Sequence, residues 1–232
     1  MKSTVQALTL MAAVIMVSAL AGCSGSMHAR NVDLKNAFLV NPSMYKEGPS
    51  DGSLYRYVKP GLDIKQYSKI LVDPVLIVKE AELDEGQREN YQKLADNAYI
   101  YLTSELGNDY EIVKKPGPGA MRLQFAIIDA DSSKPVRNLL SSASPIGIGV
   151  GAVTYGVTGK PSGVGEITVE MKVTDAKSGD LLGAALDRRV GDKNPVGIID
   201  TWYNADEALQ YWAKQIRFVL CRERGGAGCE KP

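Results

Sequence analysis

The chain holds a single histidine, His28, among 232 residues. That scarcity excludes a histidine-rich metal centre, and it leaves no second imidazole for catalysis shared between histidines. Cysteine is sparse too, with three in all and no Cys-x-x-Cys pair, which argues against a zinc site. Net charge is absent, because 27 Lys and Arg balance 27 Asp and Glu. A nucleic-acid binder that works by bulk positive charge is therefore excluded, as is an acidic disordered chain. Long apolar runs are missing as well. The uncharged stretch from Val5 to Leu20 falls short of the roughly 20 apolar residues that a transmembrane helix needs. What remains, 44% apolar and 23% charged, is the composition of an ordinary globular domain.

The N-terminus reads as an address. Lys2 supplies a short positive start, and Val5 to Leu20 has the length of an export signal. It ends in Leu20-Ala21-Gly22-Cys23. That ending resembles the bacterial lipobox, in which the enzyme cuts before the cysteine and the cysteine carries lipid. The resemblance implies removal of residues 1–22, a lipidated Cys23 and a membrane partner reached through that lipid. Two or more acyl chains give stable anchoring where one is marginal. Ser24 stands where an Asp would signal retention in the inner membrane. Its identity favours the outer membrane, with the protein facing the periplasm.

Residues 23–40 are expected to be a flexible tether, opening on small residues and carrying His28. Residues 41–224 are expected to form one domain, with a short tail over 225–232. Few apolar runs but several tyrosines occupy 31–68, the pattern of an irregular arm laid across the domain. Lys69 to Lys79 is β-branched and apolar, and Pro74 interrupts it as a bulge, an edge or a break. From Asp84 to Leu106 the residues Tyr91, Leu94, Ala95, Ala98, Leu102 and Leu106 recur at helical spacing. Asp84 is placed to cap that helix, and Gly107 to close it as a C′ glycine. A short strand at Tyr110 to Lys114, the turn Pro116-Gly117-Pro118-Gly119 and a strand at Met121 to Asp129 follow. They suggest a β-α-β start and then a hairpin.

Glu166 to Thr174 alternates apolar and polar residues, and Leu181 to Val190 returns as its antiparallel partner after the turn at Asp175 to Asp180. Asn204 to Leu220 is the last helix, with Asn204 and Glu207 spaced like a capping box and Ala208, Tyr211, Trp212, Ile216 and Val219 on one face. The expected fold class is α+β: a single domain with a mostly antiparallel sheet and two helices packed on one face. The glycine-rich stretch 146–165 carries neither a P-loop Lys-Ser or Lys-Thr nor a dinucleotide fingerprint. Its role stays open between a bland insertion and a contact with membrane or another subunit.

Together, Tyr67-Ser68-Lys69-Ile70-Leu71-Val72-Asp73-Pro74-Val75, Gly165-Glu166-Ile167-Thr168-Val169-Glu170-Met171, Asp175-Ala176-Lys177-Ser178-Gly179-Asp180-Leu181-Leu182 and Asp187-Arg188-Arg189 resemble a family of Gram-negative lipoproteins known only as domain of unknown function 3313. The resemblance runs over residues 40–220. It implies a place and a fold but no reaction.

Candidate chemistry is thin. Arg188 and Arg189 offer forked contacts to an anion, one on each side of their strand. Trp202 and Tyr203, with Tyr211 and Trp212 nearby, offer an aromatic platform for a sugar, although Trp212 falls on the core stripe. Cys221 and Cys229 bracket a glycine-rich segment and are a disulfide candidate in an oxidising envelope. Closing so short a loop contributes about 2.5 kcal/mol in the chain-entropy model. The expected function is a non-catalytic binding or scaffolding role at the membrane, with an envelope protein or cell-wall partner. A module for cell-wall glycan or a lipid headgroup is the alternative, and a hydrolase built on carboxylates alone comes third. No enzyme activity, cofactor, metal or nucleic acid is expected, and the oligomeric state is left open.

Overall fold

A computed structural model of the chain describes residues 26–29, 31–132, 165–191 and 200–232. The cleavage segment 1–22, Cys23 and residues 146–164 of the glycine-rich stretch lie outside the described residues. Among those described, nine strands and two long helices make one α+β domain. The strands are β1 (Ser26–His28), β2 (Lys46–Glu47), β3 (Tyr55–Val58), β4 (Lys69–Val72), β5 (Leu76–Ile77), β6 (Glu111–Ile112), β7 (Ala120–Asp131), β8 (Glu166–Asp175) and β9 (Leu181–Gly191). The helices are α1 (Glu85–Leu106) and α2 (Tyr203–Glu223).

The main path of the sheet runs β2-β3-β9-β8-β7-β4-β6, with β1 added on β9 and β5 on β7. Pairs β7–β8, β8–β9, β3–β9, β2–β3 and β1–β9 are antiparallel, as alternation in the long strands predicts. The pairs of β4 with β6 and β7, and of β5 with β7, are parallel. The β4-α1-β6 crossover is the expected β-α-β unit. The expected hairpin after it does not form, because β4 lies between β6 and β7 and runs parallel to both. The turn at 116–119 is present but carries the chain across β4 rather than back along β6. Pro74 marks a bulge: three residues, 73–75, face two on β7, where Val72 pairs with Leu123 and Leu76 with Ala126.

Both helices lie on one face of the sheet, and one core cluster joins them to it. The six α1 residues picked out by periodicity are the six that are buried. Asp84 and Gln87 form a reciprocal capping box at its start. At the other end Gly107 is right-handed, with φ −62°, so the expected left-handed C′ glycine is not used. Helix α2 begins one residue before its expected start. Trp202 is its N-cap residue, and Asn204 is buried within the first turn rather than capping it. Gly191 makes room for that turn: a Cβ there would stand 2.3 Å from the Asn204 side chain.

The opposite face holds the largest surprise. Thr168, Glu170 and Thr174, the polar half of β8's alternation, are buried. Residues 31–58 lie on this face as an arm that engages Glu170 and whose Val32, Val40 and Tyr45 pack on Ala126, Ile128, Ala184 and Leu186. Asp33 and Asn41 each accept a backbone N–H two residues on and bend the arm into single turns. The expected tether over 23–40 is thus taken up from Ser26 onward. β1 pairs with β9, and Ala29, Val32 and Val40 are buried.

Four tyrosine hydroxyls knit these layers. Tyr45 donates to Glu170, Tyr67 to Asp175, Tyr91 to the Ala130 carbonyl and Tyr101 to Asp206. Burial, the largest cause in each case, pushes Tyr67, Tyr91 and Tyr101 up to about 12 and Tyr45 further still. A raised folded pKa gives stability that is whole below the unfolded value near 10. It is lost as pH climbs toward the folded value. Melting temperature is therefore expected to hold up to about pH 10 and fall between pH 10 and 12, together with the rise in tyrosinate absorbance. Tyrosinate appearing well below the loss of fold would contradict this.

Candidate functional site

The structure disperses the candidate anion contacts. Arg188 faces the arm, where it is paired with Glu166 and donates to the Asn31 carbonyl at 3.2 Å. Arg189 faces the helices, only 6% exposed, with its guanidinium 3.6 Å from the centre of the Tyr211 ring. Burial, more than any other influence, lowers its pKa. Strand alternation placed the two arginines on opposite faces as expected, but each guanidinium is already engaged by the protein.

The aromatic platform is dispersed as well. Trp202 meets Tyr91 edge to face at 5.9 Å, and Tyr203 is half-buried at the start of α2. Trp212 is buried and donates its indole N–H to Asp187 Oδ2 at 2.7 Å. The other Asp187 oxygen accepts the Leu54 N–H at 3.1 Å. One carboxylate thus joins helix, sheet and arm.

Cys221 and Cys229 are bonded, with Cα atoms 5.8 Å apart. Their loop needs its glycines. Gly225 and Gly228 have φ of +72° and +77°, and a Cβ on Gly226 would stand 2.8 Å from Cys221 Sγ. The tail beyond the loop is held, because Lys231 pairs with Asp51 at 3.1 Å.

That pair stands at the rim of the feature the sequence did not announce. Seven strands spaced about 4.8 Å apart make a sheet roughly 29 Å wide. Two helices packed about 10 Å apart roof only about two-thirds of it. α1 covers β4 and β5, and α2 covers β8 and β9. Under the C-terminal half of α2, toward the β3 edge, the sheet is left without a helix. A cavity of about 190 Å³ opens there. Met121, Met171 and Trp212 form its floor, Val58, Leu62 and Val219 its walls, and Asp51, Arg56, Arg222 and Glu223 its rim. The run Tyr55-Arg56-Tyr57-Val58 has strand propensity. That propensity was the available signal for β3, and hence for this edge.

Several chemistries find no foothold among the described residues. No group of three or more His, Cys, Asp and Glu could hold a metal ion. No helix among them is long and apolar enough to cross a membrane. The carboxyls with displaced pKa values, Asp51, Glu89 and Asp175, are all lowered, first by hydrogen bonds from Lys231, Lys93 and the Ser178 backbone. That direction keeps these three carboxylates ionised to lower pH.

No curated protein gives a significant match. Solved structures with likeness include the PelC dodecamer from Paraburkholderia phytofirmans, 16% identical, with a TM-score of 0.34 over 67% of this chain and 94% of that one. A single-substitution variant of the same PelC gives 15% and 0.35 with the same coverage. A candidate lipoprotein from Caulobacter crescentus CB15 is 11% identical, with a TM-score of 0.34 over 71% of this chain and 94% of that one. The family model described as Protein of unknown function (DUF3313) matches residues 35–216, and the chain belongs to that family.

Proposed function

We propose that this chain is a lipid-anchored protein of the bacterial cell envelope with a non-catalytic binding or scaffolding role. The observation that carries the reading is Leu20-Ala21-Gly22-Cys23 at the end of an uncharged apolar run, with the described domain starting at Ser26. Three residue steps separate Cys23 from Ser26, and three steps span at most about 11 Å. A lipid on Cys23 would hold the β1 end of the sheet against the bilayer surface. The Cys221–Cys229 disulfide agrees with an oxidising compartment. Ser24 favours the outer membrane, with the domain on the periplasmic side.

The test is Cys23→Ser in cells fed a radiolabelled fatty acid. The native chain is expected to take up label and sediment with membranes. The variant is expected to take up none, to keep its signal segment or lose it elsewhere, and to leave the lipid-labelled fraction entirely. Equal labelling of the two chains would sink the reading.

A further inference from the structure

The cavity beside α2 has the makings of a ligand site. Its volume of about 190 Å³ exceeds the roughly 150 Å³ of an apolar protein cavity that stays dry and accepts benzene. A guest of at least that size, reaching outward through the open mouth, would meet Met121, Met171 and Trp212 at the floor. The rim is charged, and most of its charges are spoken for. Asp51 pairs with Lys231 at 3.1 Å, and Arg222 with Glu223 at 3.8 Å. Arg56 is exposed at the mouth and has no ion-pair partner among the described residues. The site therefore couples a largely apolar interior, bordered also by Asp187 and Gln215, to one cation, Arg56, without an ion-pair partner among the described residues.

We propose that this pocket binds a single-chain anionic amphiphile, with the hydrocarbon tail inside and the carboxylate at Arg56. Charge decides between occupants of similar tail. An anionic head gains Arg56, whereas a cationic head would face Arg56 unscreened at the mouth. Position bears on how the ligand arrives. The pocket meets β9 at Leu182 to Ala185 and at Asp187, and Arg56 at its mouth pairs with Ala185, about 13–20 Å along the strand from Arg189 to Gly191, where β1 pairs. The mouth at Arg56 is thus set back along β9 from the N-terminal end of the domain, and the ligand enters from the aqueous side. The inference rests on the binding role proposed above and names a ligand for it.

The test uses the chain from residue 23 with Cys23→Ser, which retains every described residue and needs no detergent. Methionine-methyl NMR is followed while decanoate is added. The Met121 and Met171 signals are expected to shift and saturate. Val219→Phe, which fills the wall of the pocket, is expected to weaken binding at least about tenfold without lowering the melting temperature. If that variant is unstable, Ala185→Leu fills the same space from β9. Arg56→Ala is expected to weaken decanoate several-fold and leave decanol unchanged. Absence of a saturable shift at Met121 and Met171, or undiminished binding in both filled variants, overturns the pocket. Decyltrimethylammonium binding as tightly as decanoate overturns the anionic head. Fatty-acid labelling of Cys23 is read separately, so decanoate binding without labelling would remove the anchor and keep this site.

Discussion

Glu170→Gln is expected to destabilise the domain by about 3–5 kcal/mol, since it leaves buried donors of the arm without an acceptor at about 1–3 kcal/mol each. Glu170 is 0% exposed. Its carboxylate accepts the N–H groups of Phe38, Leu39 and Val40 at 2.5, 2.7 and 3.1 Å and the Tyr45 hydroxyl at 2.7 Å. All four donors come from the arm. An amide has nearly the same shape but turns one acceptor oxygen into an NH₂ donor. That donor would face backbone N–H groups that have nowhere else to go. In a chain of this size the melting temperature should drop by roughly 10 °C. Tyr45→Phe removes only one charged hydrogen bond and should cost about 1.5–3 kcal/mol. Because the arm is what the carboxylate holds, limited proteolysis within residues 31–58 should quicken in both variants before the whole domain melts. A Gln variant that melts with the native protein would show that the clamp carries no energy.

Trp212→Ala should cost a comparable amount for a different reason. Trp212 is 2% exposed and packs against Phe125 with ring centres 6.5 Å apart. Truncating a buried tryptophan typically costs about 3–5 kcal/mol in lost burial and residual cavity. Trp212→Phe separates packing from polarity. It keeps an aromatic ring but withdraws the indole N–H from Asp187, at an expected cost of about 1.5–3 kcal/mol. Denaturant titrations of Trp212→Phe, of Asp187→Asn and of the two combined measure the coupling directly. If the Phe variant is as stable as the native chain, the Asp187 contact is incidental.

How far the sequence could be read depended on where each residue's partner lay. Helix α1 was legible in its Asp84 cap and its buried stripe, which are both local, although Gly107 closes it in a right-handed conformation. The β8–β9 hairpin was legible for the same reason. Glu170 was not: a lone glutamate in an alternating strand reads as a wet face, and what covers it lies at Phe38 to Tyr45. The turn at 116–119 spoke for a hairpin because local turn chemistry says where a chain bends and not which strand it meets next. Asn204 and Glu207 imitated a capping box, yet Asn204 is buried against Gly191. Arg188 and Arg189 were correctly assigned to opposite faces, but Glu166 and Tyr211 had already engaged them. The pocket has no signature of its own, since it arises where two helices are too narrow for the sheet beneath them.

The arm's clamp also orders events in time. Its donors and its acceptor are 125 to 132 residues apart, and β1 waits for a partner more distant still. During synthesis, β1 and the clamped segment from Phe38 to Tyr45 cannot meet their partners until β8 and β9 have emerged. Contacts of such long range form late, because the intervening loop must first be closed. Docking of the arm is therefore expected to come late in folding, after β8 and β9 have paired.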